Sequence, residues 1–380
     1  MNKLHIIAAT AVITLATACT HSKPLTATTP ETVTEYSERV WHNNSPHPRN
    51  IIFVVGDGMG TTQVYASIVA HHDGSQFLRF PFTGFSRTYS NNKYTTDSGA
   101  GGTALMTGHK VNNRAISQAP DGTDLPSFFT TLKEHKGKAT GFVVTCSVVD
   151  ATPATTYGHT PDRSMKDTLS MQMAQCSHDV MIGADKKQFL PEGRKDAARP
   201  IDTLLQRGYT MIYNLQDLKK CNNDKICALL SADDEPGDAN QRNYWLVDGT
   251  KKAIEILNKH PQGFALMVEG SQIDWGGHNN DTALLFSELD EFEKTLKVVL
   301  DFAEKDGNTL VVVTADHETG GLVLTDGDIK AGRNECKFVT TNHSGVMVPV
   351  FAYGPGAERF TGIQQNTDIY KKIINLMGMK

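Results

Sequence analysis

The chain has 380 residues, with 37 Lys and Arg against 42 Asp and Glu, for a formal net charge of −5. That balance argues against a dedicated nucleic-acid partner, which would call for a basic stripe. At 39% hydrophobic there is material for a large core, and α/β proteins of this length often form one domain rather than two.

The chain opens MNKLHIIAATAVITLATAC, which reads as an export leader. Lys3 is its basic start, residues 4–15 are mostly apolar but short for a bilayer span, and Ala16-Thr17-Ala18 is a small-x-small cleavage signal. Cys19 follows at once, as in a bacterial lipoprotein box, although Ala16 stands where that box usually carries Leu. Ordinary cleavage after Ala18 is the alternative. Residues 19–47 are rich in Thr, Ser, Pro and Asn and read as a flexible tether. The expected organisation is a signal peptide at 1–18, the cysteine and tether at 19–47, and a single domain at 48–380. The product would be periplasmic, or held to the outer membrane by a lipid on Cys19, its one expected contact with a membrane. Six cysteines suit that compartment. Cys221 and Cys227 are close enough to close a small loop as a disulfide, while Cys146 ends an apolar run and reads as a buried thiol.

Apolar runs of strand length recur at 51–55, 141–145, 264–268, 309–314 and 348–353. They are rich in Val, Ile and Phe without alternation, the pattern of parallel strands covered on both faces. Residues 287–305 carry Leu289, Phe292, Leu296, Val299 and Leu300 at helical spacing and end at Asp306-Gly307-Asn308. Strand and helix in alternation predict a doubly wound α/β sheet, mostly parallel, with helices on both faces. The polar stretches 185–250 and 321–342 read as surface excursions of helices and loops.

Ligands of open α/β sheets bind beyond the carboxyl ends of the strands. Asp57 lies two residues past Val55, Glu269 directly past Val268, and Asp316-His317 just past Thr314, with Asp150 a few residues beyond Thr145. Four strands thus deliver acids to one edge. Asp274 and His278 are four apart beside glycines, and zinc takes both Asp oxygen and His nitrogen. Adjacent side chains such as Asp316 and His317 can serve one site only where the strand breaks into a loop, which the following glycines permit. His343, in Asn342-His343-Ser344-Gly345, supplies a further imidazole. Ser98 follows Asp97 and opens a Gly-rich helical pattern, where a hydroxyl meets the positive end of a helix dipole. Asp150 and Thr152 are two apart, on one side if the segment is extended, and an oxygen-only pair suits magnesium. Arg163 offers a fork that matches two phosphate oxygens. Each of these groups read alone has a bland alternative, a cap, a turn or a surface ion pair. Together they suggest metal-dependent hydrolysis of a phosphate ester.

From about residue 50 to the C-terminus the chain resembles the bacterial alkaline phosphatase family. The family's elements occur in order as Gly56-Asp57-Gly58-Met59-Gly60, Asp97-Ser98-Gly99-Ala100, Asp150-Ala151-Thr152-Pro153 with Arg163, Glu269-Gly270 with Ile273-Asp274 and His278, Ala315-Asp316-His317, and Asn342-His343-Ser344-Gly345. The resemblance implies two zinc ions and one magnesium. Asp57, Ser98, Asp316 and His317 would hold one zinc, and Asp274, His278 and His343 the other. Asp57, Glu269, Thr152 and Asp150 would serve magnesium. Ser98 would be the nucleophile, passing through a phosphoserine, and Arg163 would clamp the phosphate with Asp97 beside it. Trp275 stands where relatives carry Lys, His or Trp near the substrate. Trp cannot supply the positive charge of Lys.

The implied partners are small phosphate monoesters, and a homodimer is left open. Diester hydrolysis is the first alternative, and a non-catalytic phosphate- or metal-binding lipoprotein on the same fold the second. No sulfatase-type element surrounds Ser98 or Cys146, and none of the expected ligands is missing.

Overall fold

A computed structural model describes residues 47–379. The expectations for the leader, Cys19 and the tether as far as residue 46 lie outside the described residues.

The first half of the chain forms β1 (Asn50–Gly56), α1 (Thr61–His71), β2 (Phe82–Arg87), α2 (Ser98–Thr107), α3 (Phe128–Lys136), β3 (Ala139–Ser147), α4 (Ala151–Ala154), α5 (Lys166–Gln175) and β4 (Val180–Ala184). Then come α6 (Pro200–Gln206), β5 (Thr210–Ile212), α7 (Leu215–Lys220), β6 (Ile226–Leu229), α8 (Trp245–Leu257), β7 (Phe264–Gly270), α9 (Ile273–His278) and α10 (Thr282–Asp306). The remainder holds β8 (Thr309–Thr314), β9 (Glu318–Thr319), β10 (Leu322–Asp328), β11 (Arg333–Phe338), β12 (His343–Ser344), β13 (Val348–Tyr353), β14 (Gly362–Gln365) and α11 (Asn366–Leu376).

Ten strands make one sheet in the order β14-β2-β13-β8-β1-β7-β3-β4-β6-β5. From β8 to β5 every pairing is parallel. Every residue of β1, β3, β7 and β8 is buried, as their unbroken apolar character predicts. Alternate side chains feed opposite faces. Ile51, Phe53 and Val55 join the core on one side, and Ile52 and Val54 the core on the other. The doubly wound, mostly parallel α/β architecture is therefore present. Among the described residues no helix is long and apolar enough to cross a membrane.

Several local expectations differ from the structure. Strand β13, read as parallel, runs antiparallel to both β8 and β2, because an apolar run reports burial on two faces and not direction. The stretch 185–250 is not wholly a surface excursion, since β5 and β6 extend the sheet beyond β4. The stretch 321–342 is an antiparallel hairpin, β10–β11. Cys221 and Cys227 are both free thiols. Cys227 packs in the core on one face of the sheet and Cys221 against the core on the other, so proximity in sequence does not bring the sulfurs together. Cys146 is buried as expected. The helix read at 287–305 starts earlier, where Asp281 caps α10 by accepting from the amides of Ala283 and Leu284, and it ends at Gly307 with φ 70°.

Strand register positions the site. Val55 of β1 pairs with Glu269 of β7 on one side and Thr314 of β8 on the other. Val144 of β3 pairs with Glu269 as well. Asp57, Glu269 and Asp316 therefore emerge at one level of one sheet edge, and the turn after β3 brings Asp150 to the same edge.

Candidate active site

Ser98 is the first residue of α2 and is buried. Asp97 caps the helix by accepting from the Ala100 amide at 3.1 Å. The Ser98 Oγ lies 3.2 Å from Nε2 of His317. That same nitrogen is 3.6 Å from Asp57 Oδ1 and 3.2 Å from Asp316 Oδ2. Asp57 reaches this point because Gly58 turns the chain at φ 71°, where an added Cβ would lie 2.8 Å from Asp274 Cα.

A second cluster adjoins the first. His278 Nε2 is 3.0 Å from His343 Nε2 and 3.4 Å from Asp274 Oδ2, and His343 Nε2 is 3.6 Å from Asp274 Oδ1. The rings of His317 and His343 stack with centroids 3.5 Å apart. Asp274 and His278 sit on α9, so their four-residue spacing is a helical i,i+4 pair. Candidate ligand atoms of Asp57, Asp316 and His317 lie within 4.8 Å of one another, as do those of Asp274, His317 and His343.

Hydrogen bonding assigns the tautomers of all three rings. Nδ1 of His278 lies 2.6 Å from the Thr341 carbonyl, and Nδ1 of His343 lies 2.8 Å from the Thr96 carbonyl. Both rings therefore donate through Nδ1, which turns both Nε2 atoms toward each other and into the site. Thr319 gives its single hydroxyl proton to Asp274. It can then only accept from Nδ1 of His317, 3.2 Å away, so that ring also turns an Nε2 lone pair into the site.

Arg163 donates through Nη2 to Asp150 at 2.9 Å and lies 3.5 Å from Asp97 through Nη1. Thr152 Oγ1 stands 3.4 Å from Asp57 Oδ2. The segment expected to be extended at Asp150 is instead a helical turn, α4, which Asp150 caps through the Ala151 amide at 2.7 Å. Strand alternation is therefore not what relates Asp150 to Thr152. Trp275 is half-buried and packs against a hydrophobic core.

The electrostatics have one evident remedy. Buried oxygens Asp57 Oδ1, Glu269 Oε2 and Asp316 Oδ2 accept no hydrogen bond. Burial pushes the Asp57 carboxyl well above its usual range, and the neighbouring Asp316, Asp274 and Glu269 charges push it further. Burial does the same to Glu269, joined by Asp150 and Asp316. It raises Asp316 and holds His317 well below the ordinary imidazole value. Asp150 moves the other way, because the Arg163 charge and hydrogen bonds outweigh its burial. Crowded acids with buried oxygens that accept no hydrogen bond, beside imidazole Nε2 atoms aimed inward, are the donor set that divalent cations require. The residues present fit such ions.

Sequence reasoning missed Thr319 and Arg114. Thr319 sits two residues past His317, just before the glycines that follow that motif, yet only folding brings Asp274 to its hydroxyl. The Arg114 carbonyl accepts the Arg163 amide at 2.7 Å, and its own amide donates to Asp97 Oδ1 at 2.9 Å.

Fold and site together define a class, an enzyme of doubly wound α/β fold that presents a serine at a helix N-terminus, an arginine fork and acid–imidazole clusters at one edge of its sheet. The alkaline phosphatase family profile matches residues 48–332. Alkaline phosphatase 4 of Bacillus subtilis is 31% identical over 84% of this chain and 87% of its own. Alkaline phosphatase from the Antarctic bacterium TAB5 superposes with a TM-score of 0.82 at 35% identity, over 87% of this chain and 99% of that one. A variant of that enzyme, solved with magnesium in its M3 site, gives a TM-score of 0.81 at 33% identity, over 88% and 99%. The chain belongs to the alkaline phosphatase family, and by that membership it is a phosphoric monoester hydrolase.

Proposed function

We propose that the protein hydrolyses small phosphate monoesters through a covalent phosphoserine at Ser98, at a site for two zinc ions and one magnesium. The observation that carries this reading is the contact of Ser98 Oγ with the inward-facing Nε2 of His317, at the junction of both ligand clusters. Asp57, Ser98, Asp316 and His317 would hold one zinc, and Asp274, His278 and His343 the other. Asp57, Asp150, Thr152 and Glu269 would hold magnesium, a choice supported by their oxygen-only donors and by the magnesium of the TAB5 variant. Bound there, the cations would neutralise the buried acids and offset charge on the attacking and leaving oxygens.

The chain's own groups do the rest. Arg163, held by Asp150 and Asp97, takes two non-bridging phosphate oxygens and orients phosphorus toward Ser98. Ser98 gives up its proton to water, Oγ bonds to phosphorus, and the ester P–O bond breaks, the leaving oxygen taking a proton from water to depart as the alcohol. Water then attacks the phosphoserine, which restores the Ser98 hydroxyl and frees inorganic phosphate. The three Nδ1–H bonds, to Thr341, Thr96 and Thr319, keep the imidazoles in the one tautomer that faces inward. Trp275, with no charge to offer, would line the substrate side of α9.

The leader-like start supports a placement outside the cytoplasm, periplasmic or held to the outer membrane by a lipid on Cys19. A homodimer fits the same reading. The test is turnover of a chromogenic phosphate monoester and its matching diester across about pH 6 to 10, since a pH profile reports the essential groups. It is run before and after chelation, with zinc and magnesium restored singly and together. Monoester turnover that needs both metals supports the reading, and preference for the diester or turnover indifferent to chelation overturns it.

A further inference from the structure

Glu318 directly follows His317, is 4% exposed, and has no part in the reaction described above. Within β9 it points away from Thr319, because neighbouring strand residues face opposite sides. On that far side its carboxylate gathers donors from separate segments. Gln63 Nε2 donates to it at 2.7 Å, the amides of Gly321 and Leu322 at 3.2 Å each, and Ser344 through its hydroxyl. Among the described residues no Lys or Arg pairs with it, so neutral donors alone hold its charge, and bonds to a charged acceptor are the stronger kind.

These donors stand directly behind the site. Gln63 lies in the first turn of α1, just past the Asp57 turn, and its amide also donates to the Thr319 carbonyl at 3.0 Å. At Gly60 an added Cβ would overlap Glu318 Cγ, so the turn after β1 rests against this side chain. Ser344 is the neighbour of His343, and β12 pairs with β9 so that Ser344 faces Glu318 and His343 faces Thr319. A single carboxylate therefore touches the segments that carry Asp57, Asp316–His317 and His343.

We propose that Glu318 is a positioning residue that fixes these three segments to one another, and that its bond to Ser344 sets how tightly the Asp274–His278–His343 cluster holds its metal. The inference rests on reading the two clusters as zinc sites. Without the bond, the 341–345 segment keeps its pairing with β9 but loses its side-chain tie to Glu318, and His343 Nε2 is held less firmly against His278 and Asp274 in advance of binding. The cluster built on Asp57, Asp316 and His317 keeps its geometry when Ser344 alone is changed.

The test measures zinc per chain across graded chelator for the unaltered protein, Ser344→Ala, Ser344→Thr, Glu318→Gln and His343→Ala, together with kcat and KM for a monoester. Ser344 is half-buried at a short edge pairing, so its substitution leaves the fold intact. Ser344→Ala is expected to keep one zinc at its original affinity and to bind the other about 10- to 100-fold more weakly, the usual effect of removing an outer hydrogen bond. Excess zinc then restores kcat with KM unchanged, and Ser344→Thr restores tight binding. Glu318→Gln is expected to weaken both sites, since it touches the segments behind each. Retention of both zinc ions by Ser344→Ala at the original affinity overturns the inference, as does equal weakening of both. Absence of zinc from the unaltered protein overturns the metal-site reading instead.

Discussion

The backbone amide of Arg163 donates to the carbonyl of Arg114 at 2.7 Å, so the proposed phosphate clamp hangs on a residue outside every motif. Arg114 holds that carbonyl in a left-handed conformation, φ 77°, and its guanidinium pairs with Asp162 through two bonds of 2.8 Å. A non-glycine residue in that region carries strain of about 1–3 kcal/mol. Arg114→Gly relieves the strain and removes only an exposed ion pair, so Tm and kcat/KM are expected to stay close to those of the unaltered protein. Arg114→Val places a β-branched residue at positive φ and is expected to lower Tm as well as kcat/KM. Calorimetry and initial rates on both variants check this, and a Val variant as stable as the Gly variant would remove backbone conformation from the account.

Ser98→Ala leaves the Asp97 cap and the arginine fork in place and deletes one oxygen. Removing a nucleophile typically costs about a thousandfold or more in kcat. Acid quench of the enzyme with labelled substrate should trap phosphate on the unaltered protein and none on Ser98→Ala. Label retained by the alanine variant would assign the covalent step to another residue.

The acids at the sheet edge were legible because β1, β7 and β8 are built on unbroken apolar runs, at 51–55, 264–268 and 310–313, and the acids stand just past the carboxyl ends of those runs. Parallel register then does the rest, placing Asp57, Glu269 and Asp316 level without any further signal. Short strands such as β5 and β6 were not legible. Three or four residues within a polar stretch carry too little pattern, and their pairing comes from β4 alongside them. The direction of β13 was hidden for the same reason, since burial on two faces looks alike in both directions. Thr319 and Arg114 were invisible because a hydroxyl and a surface arginine gain their roles from partners far away in sequence, Asp274 and Asp162.

A buried ionic group remote from the site gives the protein a predictable pH response. Arg242 donates through Nη2 to Glu288 at 2.7 Å and to Glu291 at 2.6 Å, all three side chains being buried. Burial pushes Glu288 up to about 7, held back by Arg242 and aided by the Glu291 charge. Its folded value lies above the unfolded one, so its contribution is fully present below the unfolded value and is lost as pH rises through about 7. The expected loss between about pH 5 and 8 is of the order of 1–3 kcal/mol, or several degrees in Tm. Glu288→Gln should remove this part of the slope, so the stability difference between the two proteins changes with pH. A constant difference would place the proton elsewhere.

Thr319 joins the two clusters through one hydroxyl, which donates to Asp274 and accepts from Nδ1 of His317. Thr319→Val keeps the shape and removes both bonds. Asp274 then loses a donor in a buried setting, and His317 is free to take the tautomer that turns a proton toward Ser98. Both changes act on metal ligands, one in each cluster, so zinc affinity is expected to fall about 10- to 100-fold at both sites together. Thr319→Ser keeps the hydroxyl and should remain close to the unaltered protein. The pattern differs from that of Ser344→Ala, which should loosen one zinc only. Zinc content against graded chelator, with kcat measured at saturating zinc, separates the two. A valine variant that holds both ions at the original affinity would show that the His317 tautomer is set by the cations and not by Thr319.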